Sequence, residues 1–206
     1  VRARVEVRRR GFYPEGGGEV HLSVAPAGTL GPIEWLEGPR VPPIIRSLAA
    51  RLPRSVADRQ LRAAESYLQA HQIECAGREV AVEEAASPGT AIGVFAVGPE
   101  RSFLGADALG ERGVPAEHIG QSTAERFVRE AQAGVPVDHH LADMLVTLLP
   151  FAVSESRFRT STASAHLETN LYVAAQLTGC RYAVEQLPGG ATEVRVVPAR
   201  DQTRNA

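Results

Sequence analysis

The run RRGFYPEGGGEV, Arg9 to Val20, most constrains the fold. It sets Gly11, Pro14 and the consecutive glycines Gly16, Gly17 and Gly18 between two alternating stretches. Before it, Val1, Ala3, Val5 and Val7 face one way against Arg2, Arg4 and Arg8; after it, Val20, Leu22 and Val24 alternate again. A period of two on both sides of a glycine-rich break describes two strands and a turn. Glycine permits positive φ and close backbone approach, so the triplet suits either a bulged hairpin or a loop cradling phosphate. A phosphate cradle ordinarily opens a helix, whereas here a strand follows.

With 206 residues, 44% of them apolar, the chain can bury a core as one large domain or two small ones. Its net charge of −2 provides no overall positive field to recruit nucleic acid, so any such contact must be local. Arginine clusters at Arg2, Arg4, Arg8, Arg9 and Arg10 and again from Arg40 through Arg62, although runs of this kind are usually solvated faces. No lysine occurs. Cys75 and Cys180 are far apart and form no CxxC pair, which points to neither a zinc site nor a disulfide framework. A reducing cytoplasm is the expected location. No signal-peptide pattern and no apolar run of the ~18 residues needed to cross a bilayer occurs, so no membrane role is expected.

Pro26 to Pro43 is rich in glycine and proline around a short apolar piece, Ile33 to Leu36, and reads as a connection with one edge strand. Ala57, Leu61, Ala64 and Leu68 recur at helical spacing and predict a helix from Ser55 to about His71. Three strands are expected at Glu79 to Glu84, Ala91 to Val97 and Ser102 to Ala106, separated by the turns SPGT (Ser87 to Thr90) and GPER (Gly98 to Arg101). Pro115 suits the start of a second helix, ended by Gly134. Asp138 is the expected N-cap of a helix running to about Leu149, stopped by Pro150. A strand near Arg157 to Thr160 and a helix from Leu167 to Leu177 capped by Gly179 come next. A hairpin, Arg181 to Gln186 with Thr192 to Val197, follows them, and DQTRNA reads as a frayed tail. The expected class is α/β (α+β), with helices packed on a sheet.

Two segments carry the candidate chemistry. His166 lies in STASAHLETN, between an expected strand and helix, where helix N-terminal amides favour anions. The alternative is a capping segment in which Ser164 supplies the cap oxygen and His166 is incidental. In DHHLAD, His140 and Asp143 are three apart and neighbours on one helix face, open to a metal pair or a hydrogen-bonded surface pair.

RRGFYPEGGGEV, the HLAD stretch at His140 to Asp143 and HLETN at His166 to Asn170 together resemble the RNA 3′-terminal phosphate cyclase family; SPGT and LGADALGERG (Leu104 to Gly113) also look like family segments. The resemblance implies a core of repeated βαβαββ units with a smaller α/β insert domain. Residues 1–40 and 134–206 would be core, the latter carrying the nucleophile, and 41–133 the insert. It makes His166 the nucleophile that accepts AMP from ATP, and it places Asp143 near the adenylate and His140 beside the adenine. Met144 stands at this nucleotide site where the family usually has glutamine. An imidazole nucleophile is chemically apt: its ordinary pKa of about 6.5 leaves it neutral at pH 7, and the chain has no lysine to serve instead. Arg10 and Arg157 are candidates for the RNA terminal phosphate, because guanidinium is planar and bidentate.

The implied reaction converts an RNA 3′-terminal phosphate to a 2′,3′-cyclic phosphodiester. It uses ATP, with Mg or Mn neutralising the triphosphate and no metal ligand assigned in this chain. The partners are ATP and RNA bearing a 3′-phosphate end, in RNA processing or repair. The glycine signature belongs near the middle of such a cyclase. An N-terminal part is therefore expected to be missing, leaving the core incomplete and the activity of this chain doubtful unless another chain supplies it. The competing readings are a non-catalytic cyclase-like protein of ribosome assembly and an inactive truncated fragment.

Overall fold

The computed structural model describes residues 2–39, 41–98 and 103–199. In chain order its elements begin β1 (Arg2–Arg9), β2 (Glu19–Ala25), β3 (Glu34–Trp35), β4 (Ile44–Ala50), α1 (Arg54–Ala70), β5 (Gly77–Glu83), β6 (Gly89–Val97) and β7 (Phe103–Leu109). They continue α2 (Ala116–Gln132), α3 (His139–Leu145), a 3-10 turn at Leu149–Phe151, β8 (Ser156–Thr160), α4 (Ala165–Thr178), β9 (Arg181–Gln186) and β10 (Thr192–Val197). The class is mixed α/β. Two compact units divide the chain: Val1–Pro26, Arg40–Gly98 and Leu104–Arg129 form one, and Ala27–Pro39, Pro99–Phe103 and Glu130–Ala206 the other.

In the first unit, β1 and β2 pair antiparallel, so Ala3, Val5 and Val7 stand opposite Val24, Leu22 and Val20 on one face, and Arg4 and Glu6 opposite Ser23 and His21 on the other. Both faces are exposed, the apolar one included: Val5 is 64% and Leu22 60% accessible. The glycine run is the hairpin turn, closed by Gly16 N donating to Phe12 O at 2.7 Å. Gly17 adopts φ +79°, and a Cβ there would lie 2.9 Å from Ala86 Cβ, so the position requires glycine twice over. Ser87, 1% exposed, holds the turn: its Oγ accepts from Phe12 N at 2.6 Å and donates toward the carbonyls of Phe12 (2.9 Å) and Gly16 (3.0 Å). The SPGT turn is thus the seat of the glycine hairpin.

The sheet of this unit runs in the order β5-β4-β6-β7, with β4 parallel to β5 and antiparallel to β6. Helix α1 joins β4 to β5 as a crossover, which parallel neighbours require. Its apolar stripe, Ala57, Leu61, Ala64 and Leu68, is buried as the spacing demands, and Gln60 is buried with it. That amide is paired at both ends: Ser47 Oγ donates to its Oε1 at 3.0 Å, and its Nε2 donates to Thr90 Oγ1 at 2.9 Å. Helix α2 begins after Pro115 as expected, and the chain turns at Gly134, φ +65°. Ser102, the expected first residue of the β7 strand, lies outside the described residues; so do Pro99 to Arg101 of the GPER turn and the DQTRNA tail.

In the second unit the sheet order is β3-β8-β10-β9, with β3 parallel to β8 and the other pairs antiparallel. The short apolar piece in the Pro/Gly-rich connection is therefore an edge strand, as its sequence suggests. Phe158, Val194 and Val196 of this sheet pack with Val137, Ala142, Val146, Leu149, Leu167, Leu171 and Cys180 in one buried cluster. One expected boundary is corrected: the helix capped by Asp138 ends at Leu145 rather than near Leu149. Pro150 has no N–H to donate back to Val146, and the chain tightens into the 3-10 turn instead. Leu148 consequently leaves the apolar stripe and is 55% exposed.

Candidate active site

Helix α3 begins at a side-chain cap, Asp138 Oδ1 accepting from Leu141 N at 2.9 Å. Its first residue, His139, sets Nδ1 2.6 Å from Oε1 of Glu130, and the rings of His139 and His140 lie 4.0 Å apart. Glu130 is 7% exposed, and its other carboxylate oxygen, Oε2, is buried and makes no hydrogen bond among the described residues. His140 and Met144 are exposed and Asp143 half-buried.

Helix α4 begins at Ser164, whose Oγ accepts from Leu167 N at 2.9 Å, and ends at Gly179, whose φ of +71° closes it as a left-handed cap. The capping role foreseen for Ser164 is therefore real. His166 stands in the first turn of this helix with an exposed imidazole that makes no hydrogen bond or ion pair among the described residues. Such a ring is free to act as a nucleophile, and it sits where a helix N-terminus favours an anion.

The two segments singled out in the sequence meet. Ser164 Oγ donates to Asp143 Oδ1 at 2.5 Å, and Asn170 Nδ2 donates to Asp143 O at 3.0 Å. Residues 21 and 27 positions apart are thereby joined, and Asp143 stands against the start of the helix that bears His166. His166 and Asn170 are i and i+4, on one side of α4, while His140 and Asp143 are i and i+3 on α3.

The two arginine candidates are engaged elsewhere. Arg10 belongs to the first unit, where its Nε donates to Glu83 Oε2 at 2.5 Å. Arg157, on β8, donates to Glu34 Oε1 at 2.8 Å across the β3–β8 pair. Each would have to exchange its carboxylate for a phosphate. Among the described residues no cluster of three or more His, Cys, Asp or Glu side chains is arranged to hold a metal ion. Among the described residues the donor set therefore does not fit a protein-held divalent ion.

The sequence profile of the RNA 3′-terminal phosphate cyclase family matches residues 1–184. The chain belongs to that family. It is 36% identical over 191 residues to an RNA 3′-terminal phosphate cyclase of Pyrobaculum neutrophilum, covering 90% of this chain and 54% of the relative. Against the cyclase of Caldivirga maquilingensis it is 39% identical over 178 residues, 84% of this chain and 50% of the relative. For Thermococcus gammatolerans the figures are 36% over 198 residues, 96% and 57%. The chain thus spans about half the length of these cyclases.

Three site features escaped the sequence reading. Glu130, the partner of His139, looks like any charged residue in the last turn of an amphipathic helix, and its burial is not written in its neighbours. Asn170 lies inside the family-like segment, but nothing in one sequence says that it reaches Asp143. The Ser164–Asp143 bond was half visible, since Ser164 reads as a cap and Asp143 as a site residue, with no pattern linking them. No helix among the described residues is long and apolar enough to cross a membrane.

Proposed function

We propose that this chain is the nucleophile-bearing part of an ATP-dependent RNA 3′-terminal phosphate cyclase, with His166 as the residue that accepts AMP. The observation carrying this reading is the bonding of Asp143 to Ser164 and Asn170, which brings the HLAD and HLETN segments of a family member together around a free imidazole. One ring nitrogen of His166 attacks the α-phosphorus of ATP. An N–P bond forms, the P–O bond to pyrophosphate breaks, and pyrophosphate leaves with the electron pair. An oxygen of the RNA 3′-phosphate then attacks that phosphorus, and the N–P bond breaks as imidazole leaves. Finally the vicinal 2′-hydroxyl attacks the 3′-phosphorus, loses its proton to solvent and expels AMP, leaving the 2′,3′-cyclic phosphodiester.

His140, Asp143 and Met144 would line the nucleotide site, Met144 offering sulfur where relatives of the usual pattern offer an amide. Arg157 would take the RNA phosphate after releasing Glu34, and Arg10, in the first unit, stays a separate candidate that would have to release Glu83. The reading keeps residues 1–40 and 134–206 as a βαβαββ-type core, 41–133 as an insert, and a cytoplasmic setting. The half of the relatives that this chain does not match would complete the site, on the same or another chain. Incubation with ATP labelled at the α-phosphate tests it. The expected result is acid-labile protein label that is lost in His166→Ala and rises when the unmatched half is supplied. Equal labelling of His166→Ala would overturn the assignment.

A further inference from the structure

We infer that Ser164 and Asn170 are positioning residues that act through Asp143 to hold His166 in place, a role that rests on His166 being the AMP acceptor. The two bonds bracket the histidine. Ser164, two residues before it, gives its hydroxyl proton to the Asp143 carboxylate at 2.5 Å while its oxygen caps Leu167 N at 2.9 Å. Asn170, four residues after it, reaches the Asp143 backbone carbonyl at 3.0 Å. One hydroxyl thus serves α3 and α4 together, fixing the first turn of α4 both along its own backbone and against its neighbour. The amide adds a second point six residues beyond Ser164, one turn beyond His166 and on the same side of α4 as that residue. Two points of attachment, six residues or about 1.7 turns apart, oppose both sliding of α4 along α3 and rotation about its own axis. The imidazole makes no bond among the described residues that could orient it, so its placement depends on the backbone beneath it. Neither Ser164 nor Asn170 needs to touch the nucleotide to matter.

In-line displacement is sensitive to such placement, since a shift of about 1 Å in a reacting group costs on the order of a hundredfold in rate. The test compares Ser164→Ala, Asn170→Ala and the conservative Ser164→Thr, which keeps a hydroxyl, at a temperature where far-UV circular dichroism shows each folded. Labelling of His166 from α-labelled ATP is followed over a range of ATP concentrations, with the unmatched half supplied. The expected result is a saturating rate lowered about tenfold to a hundredfold in the two alanine variants. ATP half-saturation should be unchanged, and Ser164→Thr should recover most of the rate. A raised half-saturation with an unchanged saturating rate would make these residues nucleotide contacts and overturn the inference, as would unchanged kinetics.

The ring signals of His166 by nuclear magnetic resonance decide the matter independently of labelling. They are expected to shift or broaden in Asn170→Ala while those of His71 and His118 stay in place; an unmoved His166 signal would overturn the clamp. If the wild-type chain takes no label, the function proposed above fails, and the resonance result still judges the clamp by itself.

Discussion

Gly120 sits where α2 crosses α1, and replacing it with alanine is expected to be among the costlier single changes in the first unit. An added Cβ would stand 2.0 Å from the carbonyl oxygen of Gln60, 2.8 Å from its carbonyl carbon and 3.0 Å from its Cα. All three atoms are backbone, so no side chain can rotate away. To restore an ordinary carbon–oxygen separation, the helices must part by about 1 Å, an overpacking strain costing roughly 1–3 kcal/mol. Gln60 cannot follow freely, because its amide is pinned between Ser47 and Thr90 in a region where it is 1% exposed. Loosening one of those bonds leaves a buried polar group short of a partner, worth about 1–3 kcal/mol. The expected loss for Gly120→Ala is therefore about 2–5 kcal/mol. Urea unfolding followed by circular dichroism measures it, with the slope unchanged if only stability moves. A loss below about 0.5 kcal/mol, the size expected of an ordinary surface change, would refute the claim that backbone contact sets this crossing.

The seat of the glycine hairpin gives a second expectation. Ser87→Ala removes the hydroxyl that accepts from Phe12 N and is expected to cost about 1–3 kcal/mol, read as a lowered urea midpoint; no change would mean the turn holds without it. The third concerns Glu117, whose carboxylate accepts from Arg59 Nε at 2.6 Å and from a second guanidinium nitrogen at 2.7 Å. The hydrogen bond from Arg59 is the main cause that holds its pKa at about 2, below the ordinary 4.5. A depressed carboxylate stabilises the fold above its unfolded value and loses that contribution as pH falls through the folded one. The melting-temperature gap between wild type and Glu117→Gln should thus be flat above about pH 5, shrink below 4.5 and vanish near 2. The pair is exposed, so the gap should be small and suppressed by salt; a gap independent of pH would contradict the pairing.

Local chemistry was legible wherever a residue's role depends on its immediate neighbours. Asp138 and Ser164 read as caps and are caps; Gly179 reads as a helix stop and adopts φ +71°. The stripe Ala57, Leu61, Ala64 and Leu68 is buried because its period is that of a helix. The helix after Asp138 failed in length because leucines at the right spacing continue to Leu148, whereas the missing N–H of Pro150 acts back on the turn before it. The hold of Ser87 on the glycine hairpin was illegible for another reason. The partners are 71 and 75 residues apart, and one serine among many carries no sign that it will be buried.

The candidate site shows why motif and placement separate. His166 and Asp143 were each recognisable within short strings, but their meeting is made by Ser164, which a single sequence marks only as a cap. A cap oxygen has lone pairs to spare after accepting from Leu167 N, and its hydrogen remains free to be donated. In this fold that hydrogen goes to Asp143, so a device ordinarily confined to one helix becomes a joint between two. The geometry then follows without further instruction. Once the first turn of α4 is tied to α3, the backbone that bears His166 is held to the helix that carries Asp143. Any residue four positions along can reinforce the tie, as Asn170 does. The spacing H-x-x-D on α3 with S-x-H-x-x-x-N on α4 is therefore better read as the footprint of a helix joint carrying a free imidazole than as a set of independent ligands.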